Sequence, residues 1–153
     1  MKSIKEMMTK EIIIKIKGSQ SYPGQESDCT EILVSGQYFL KNGKHYLLYE
    51  EVMEGFLGKV KNRIVIWQDK VEIHKKGLLN SRMIFEEKKH CKTEYTTPYG
   101  SMELGIETKK VNISFGEENL TVDLEYELVS GGQYMAECKI CVEASSKKLG
   151  VHI

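Results

Sequence analysis

The sequence has no excess of charge of either sign. Its 153 residues include 22 Lys and Arg and 22 Asp and Glu, so the formal net charge at pH 7 is zero. A protein that binds nucleic acid in general needs a positive surface to attract the phosphate backbone. The balanced composition therefore argues against nucleic acid as a partner.

Long apolar segments are missing too. The first ten residues are charged and lack the apolar run of a secretory signal, and Ile12–Ile14 is too short to cross a bilayer. We therefore expect no membrane segment and a cytoplasmic location. In a reducing compartment the four cysteines are expected to be free thiols. They are Cys29, Cys91, Cys138 and Cys141.

Motifs for catalysis, phosphate binding and metal binding are absent as well. The sequence has no Gly-rich phosphate loop, no G-x-S-x-G elbow and no Ser or Cys beside an evident base. The C-x-x-C pair of Cys138 and Cys141 lies in an alternating segment, so its thiols point to opposite faces. The four histidines are scattered, without ligand spacing. We predict no catalytic residue, no metal site and no cofactor, and an enzyme is less expected than a binding protein.

A period-two alternation of apolar and polar residues is what the sequence does contain. It runs from Glu11 to Glu143, interrupted at turns, and no stretch fits an amphipathic helix. The alternation is clearest where apolar side chains occupy every second position of one segment. These are Leu120, Val122, Leu124, Tyr126 and Leu128. The pattern predicts an all-β protein.

The strands number about eight to ten and are joined mostly by short turns, such as Asn42-Gly43. This favours an antiparallel up-and-down β-barrel, which hides its strand edges and has room for side chains or one small ligand. Two packed sheets are the alternative. We expect an N-terminal lead-in over residues 1–10, the barrel domain over 11–144 and a C-terminal tail over 145–153.

Polar residues that alternation directs inward are the candidates for a binding site. Glu50 and Glu51 are adjacent, so one of them faces the interior whichever register the strand adopts. A buried carboxylate needs a partner, and four tyrosines and one lysine are available for that role. These are Tyr46, Tyr49, Lys75, Tyr95 and Tyr126. They could line a site for a small, partly apolar ligand in the barrel mouth, or form a network that only fixes strand register.

An outward-facing tryptophan suggests a different function. Trp67 and Val65 share the outer face of one strand, and an exposed indole suits a contact with a partner. The alternative to ligand binding is therefore an interaction scaffold with a packed interior. It would use this surface for a homodimer or for a protein partner.

Several blocks of the sequence resemble one bacterial family. They are Tyr46–Glu51, Met83–Glu86, Tyr95–Gly100, Met102–Thr108 and Leu124–Leu128. In matching order along nearly the whole chain, they resemble the YwiB-like family. The resemblance implies a calycin, or lipocalin-like, β-barrel, and because that family is a domain of unknown function it implies no activity.

Overall fold

Residues 10–147 are described by the computed structural model, and within this range the regular structure is entirely β. The strands are β1 (Glu11–Ser21), β2 (Asp28–Lys41), β3 (Lys44–Val52), β4 (Lys59–Ile66), β5 (Lys70–Gly77), β6 (Ser81–Glu86), β7 (His90–Thr97), β8 (Gly100–Gly116), β9 (Asn119–Ser130) and β10 (Gln133–Ser146). None of these residues forms a helix that could cross a membrane.

The strands form one antiparallel sheet that curls into a nearly closed barrel. Their order in space is β6-β5-β4-β3-β2-β1-β10-β9-β8-β7, so the first strand pairs with the last. That pairing is long, from Ile12 opposite Ser146 to Ser21 opposite Glu137. The all-β barrel predicted from the alternation is confirmed, with ten strands, and it is consistent with the calycin-like expectation.

The alternating apolar residues line the barrel interior. In β9 every second side chain from Leu120 to Leu128 is buried, and Ile12 and Ile14 of β1 have no exposed surface. Phe85 of β6 is equally buried and packs against Tyr126, with 4.9 Å between ring centroids. Each such side chain contributes about 1.5–3 kcal/mol of transfer free energy, so this interior is the main source of stability.

One seam of the barrel, between β6 and β7, is weakly bonded. These strands follow each other along the chain, yet among the described residues they share a single β-bridge, between Asn80 and Thr96. Two backbone hydrogen bonds make this bridge, with N–O distances of 3.0 and 2.9 Å. The side chain of Thr93 adds a third contact, since its Oγ1 accepts from the Arg82 amide at 3.3 Å.

A second interruption lies between β2 and β3. Their ladder joins 37–41 to 44–48, so the first part of β2 pairs with β1 and has no ladder to β3 within the described range. The last residues of β3, including Glu51, instead pair with β4. The wall of the barrel is therefore open where these two strands separate.

The end of the barrel domain lies slightly beyond the predicted boundary. Ser145 and Ser146, assigned from the sequence to the tail, belong to β10 and pair with Ile13 and Ile12 of β1. The Lys147 amide continues the contact by donating to the Glu11 carbonyl at 3.0 Å. The predictions for residues 1–9 and 148–153 lie outside the described range.

Candidate functional site

The register of β3 decides which of the two adjacent glutamates faces the interior. His45, Leu47 and Tyr49 are buried inside the barrel, and Glu51 continues their phase. Glu50 lies on the outer face, where its Oε1 is 3.4 Å from Lys59 Nζ. The question left open by the sequence is thus answered in favour of Glu51, and Glu50 does not belong to an interior site.

Tyr46 also lies on the outer face, contrary to the predicted interior site. Its ring stacks on Phe39 of β2 with 4.6 Å between centroids and 9° between planes. The reason is the period of two: Tyr46 and Tyr49 are three positions apart, so they point to opposite faces. Only Tyr49 can line the interior.

Inside the barrel, Glu51 joins a network with Asn62 of β4 and Lys75 of β5. Asn62 Nδ2 donates to Glu51 Oε1 at 2.8 Å, and Lys75 Nζ donates to the same oxygen at 3.1 Å and to Asn62 Oδ1 at 2.7 Å. Asn62 is 2% exposed, so its amide depends on these bonds to offset the cost of leaving water. Glu51 and Lys75 are half-buried and reach the edge of the site.

Three tyrosines surround this network. Burial raises the pKa of Tyr49, and the negative charge of Glu51 raises it further. The same two causes, in the same order, raise the pKa of Tyr95. Burial also raises the pKa of Tyr126, which lies opposite Cys138 in the ladder between β9 and β10. Their phenols therefore stay neutral at physiological pH and can both donate and accept hydrogen bonds.

Two residues of the site were missed from the sequence. Asn62 stands in the inward phase of β4 between Val60 and Ile64, and a polar residue in an apolar phase is the signal that could have revealed it. Ser81 lies opposite Lys75 in the ladder between β5 and β6. Its Oγ is buried and has no hydrogen-bond partner among residues 10–147, which nothing in the sequence indicated.

A cavity of about 330 Å³ adjoins this cluster at the opening between β2 and β3. Tyr49, Glu51, Lys75 and Tyr126 contribute its polar wall. The remainder is supplied chiefly by strands β1, β2 and β10. It includes Ile16, Gln20, Asp28, Thr30, Ile32 and Ile140. The lining therefore mixes apolar side chains, chiefly the three isoleucines, with a larger number of polar ones, and a cavity of this size suits a small molecule that carries both kinds of group.

The outer surface predicted around Val65 and Trp67 is less apolar than expected. Val65 is 4% exposed, so the expectation that it is accessible to a partner is wrong. It lies between Tyr46 and Glu72 in the ladders, and side chains on the outer face cover it. Trp67 is half-buried, with Lys44 Nζ 5.1 Å and Lys70 Nζ 4.1 Å from its ring centroid. Both lysines make cation–π contacts with the indole.

Within the described part of the chain, no three His, Cys, Asp or Glu side chains are arranged to hold a metal ion. The most buried histidine of that part is His45, whose Nδ1 is 2.8 Å from the Tyr38 hydroxyl. This pair lies near the opposite end of the barrel from Glu51, beside the turn that joins β2 and β3.

Comparison with known proteins gives a family and a fold. The family model described as "Domain of unknown function (DUF1934)" matches residues 14–142. No curated protein matches the chain. Among solved structures, the chain is similar to the ywiB protein from Bacillus subtilis, with a TM-score of 0.80 and 22% sequence identity. That match covers 93% of this chain and 96% of the other, and it supports the barrel fold.

Proposed function

The chain belongs to the DUF1934 family, as its resemblance to YwiB-like proteins implied. Because a domain of unknown function has no assigned activity, we propose a function from the geometry of the site. The protein is a binding protein that holds one small, partly apolar molecule in the cavity between β2 and β3. The cavity volume of about 330 Å³ suits a small ligand.

The observation that carries this proposal is the Glu51–Asn62–Lys75 network, of which Glu51 and Lys75 line a cavity of mixed apolar and polar character. Buried polar networks are costly unless the hydrogen-bonding groups of every member have partners, and in this network one oxygen of Glu51 is left unused. Both contacts of Glu51 within the network use Oε1. A ligand with hydrogen-bonding groups at one end would complete these contacts.

The first experiment blocks the cavity. Thr30 lines the cavity near the surface, so Thr30→Trp places an indole in the mouth without disturbing the core. The probe is 1-anilinonaphthalene-8-sulfonate, a small amphipathic anion whose fluorescence rises in apolar sites. We expect the folded protein to bind it and Thr30→Trp to weaken binding at least tenfold. Leu33→Trp is the matched control, because Leu33 is 63% exposed on the opposite face of β2.

Equal binding by Thr30→Trp and Leu33→Trp would contradict the proposal, as would a folded protein that does not bind the probe. Native mass spectrometry of freshly purified protein complements this test. A non-covalent mass that is present in the wild type and absent from Thr30→Trp would identify the natural ligand class.

The second experiment tests the polar end of the site. The probe is anionic, so Lys75→Gln should weaken its binding, whereas Glu51→Gln should strengthen it by freeing the Lys75 ammonium. Glu50→Gln is the control, since it removes an equal charge from the outer face of the same strand. Identical changes in Glu50→Gln and Glu51→Gln would show that the network does not contact the bound molecule.

Self-association through the outer face is the weaker proposal, because Val65 is covered and Trp67 is already in contact with two lysines. Its test is the elution volume of the wild type against Trp67→Ala. A homodimer built on this surface would dissociate in the variant, while ligand binding in the cavity would be unchanged.

A further inference from the structure

Three cations cluster on the outer face of β4 and β5 with no ion-pair partner among residues 10–147. They are Lys61, Arg63 and Lys76, all exposed. Other cations on this face are paired: Lys59 with Glu50, and Arg82 with Glu72. The two nearest carboxylates are therefore already engaged, and the cluster is a local excess of positive charge on a chain of zero net charge.

The strand register brings these cations together. Lys61 lies directly opposite Lys76, and Arg63 lies directly opposite His74. Residues opposite each other in an antiparallel pair are about 5 Å apart, and successive residues on one face are about 6.7 Å apart along the strand. The four side chains thus start from the corners of a rectangle of roughly these dimensions.

Like charges directly opposite each other destabilise a sheet. The pairing of Lys61 with Lys76 is therefore unfavourable in the empty protein, although Glu50, opposite Lys61 in the ladder with β3, offsets part of the repulsion. A multivalent anion between the two ammonium groups would make the pairing favourable. His74 does not relieve the repulsion, because its Nε2 is 2.9 Å from Glu72 Oε1. The arrangement has the character of a binding site rather than of a stabilising surface pair.

A groove of about 970 Å³ runs over these residues. Its wall includes the cations Lys61, Arg63 and Lys76 and, from β2 and β3, Gln37 and Leu48. Leu48 is half-buried and offers an apolar surface, and Gln37 offers an amide that can donate or accept. The wall also includes the carboxylate of Glu50, and it shares Tyr49 and Lys75 with the cavity proposed above, whereas Lys61, Arg63 and Lys76 line the groove alone.

We propose that this groove binds a small molecule that carries two neighbouring phosphate groups. The Arg63 guanidinium can bind one phosphate with its planar pair of donors, and Lys61 and Lys76 together can bind the other. Leu48 and Gln37 then contact the non-phosphate part of the ligand. Two phosphates rather than one are expected, because the cations span more than a single phosphate covers.

The experiment is a calorimetric titration with inorganic pyrophosphate at low ionic strength, with orthophosphate as the comparison. We expect pyrophosphate to bind more tightly, and the double variant Lys61→Gln/Lys76→Gln to lose about tenfold or more in affinity. The control is Lys41→Gln/Lys92→Gln, which changes the net charge equally by removing two exposed lysines outside the groove. It should bind as the wild type does.

Thermal unfolding provides a second readout. Without pyrophosphate, Lys76→Gln should unfold at the same temperature as the wild type or higher, because the variant removes the repulsion with Lys61. With pyrophosphate, the wild type should gain more stability than Lys76→Gln, because the variant binds the ligand more weakly. A lower unfolding temperature in the absence of pyrophosphate would mean that Lys76 has a structural role and would overturn the proposal.

Three other results would overturn it: no binding of pyrophosphate, equal affinity for orthophosphate, or equal loss in both double variants. A short single-stranded RNA that binds more tightly than pyrophosphate through Lys61 and Lys76 would identify the groove as a nucleic-acid surface and exclude the small-molecule ligand. Lys61 and Lys76 do not line the cavity between β2 and β3, so the double variant leaves the cavity wall unchanged and the two proposals can fail separately.

Discussion

At the scale of single residues, His45 illustrates how burial alone changes the protonation of a side chain. The side chain is 4% exposed, contacts the Tyr38 hydroxyl and stacks on Phe115 with 4.5 Å between ring centroids. Burial lowers the pKa of His45 below its ordinary value, because the interior disfavours the imidazolium. The ring is therefore neutral in the folded protein at pH 7.

We expect this histidine to make the protein sensitive to mild acid. A pKa that is lower in the folded than in the unfolded state contributes stability that is present above the unfolded value, near 6.5. That contribution is lost as the pH falls through the folded value. Denaturant unfolding between pH 7 and 5 should therefore show a loss of free energy in the wild type that is smaller in His45→Gln.

The control for this prediction is His90→Gln, because the His90 side chain is 45% exposed. This variant should keep the pH dependence of the wild type. Were His45→Gln to keep it too, acid sensitivity would come from other groups, of which Glu72 is one. Burial opposes ionisation of Glu72, but the hydrogen bonds from His74 and Arg82 and the charge of Arg82 outweigh it and lower its pKa.

At the scale of the strands, the period of two predicted much but not all of the site. It correctly gave the interior phase of β9 and β1, because apolar residues occupy only one phase there. In β3 apolar residues occupy both phases, as Leu47 and Leu48 show, so the pattern could not decide between the two glutamates. That choice depends on the pairing of β3 with β4, which is a tertiary property.

Val65 shows a second limit of sequence patterns. Its outward phase was correctly assigned, since Ile64 and Ile66 on either side belong to the interior. The burial of Val65 was not predicted, because the phase of a residue shows which face of the sheet it occupies but not which side chains lie over it. Tyr46 and Glu72, the partners of Val65 in its two ladders, flank it on the outer face.

Gly77, at the end of β5, gives a prediction at the same scale. Its φ is +126°, which side chains rarely adopt, and an added Cβ would overlap the Lys59 carbonyl oxygen. We expect Gly77→Ala to cost about 2–4 kcal/mol of unfolding free energy, from backbone strain and from separating β4 and β5. Urea denaturation measures this cost.

Gly100 is the matched control, since its φ is +131° and no atom of the described residues lies within 4 Å of an added Cβ. Gly100→Ala should incur only the backbone strain, about 1–3 kcal/mol. The difference between the two variants isolates the clash with Lys59. Equal costs would show that the close approach of the two strands does not contribute.

At the scale of the whole molecule, the barrel is held unevenly. Among residues 10–147, nine antiparallel ladders join neighbouring strands, and the seam between β6 and β7 has one bridge in their place. Local opening begins where few hydrogen bonds must break. The seam, rather than the long pairing of β1 with β10, is therefore where we expect the barrel to open.

This expectation is tested by Thr93→Val. Thr93 is buried, and the change leaves the Arg82 amide without its acceptor, which costs about 1–3 kcal/mol. Amide hydrogen exchange in β6 and β7 should accelerate, while exchange in β1 and β10 stays slow. Thr96→Val is the control, because the Thr96 hydroxyl contacts Ser101 in an exposed position. Uniform acceleration across all strands would instead indicate global destabilisation.

The pairing of β1 with β10 makes the fold independent of where its chain begins. Ile12 and Ser146 are partners in that ladder, so a linker could join these two strands as a turn joins any other pair. The turn after β6 connects strands that share no ladder, and new ends placed there would leave all nine ladders intact. A circular permutant opened at that turn should therefore keep the same architecture.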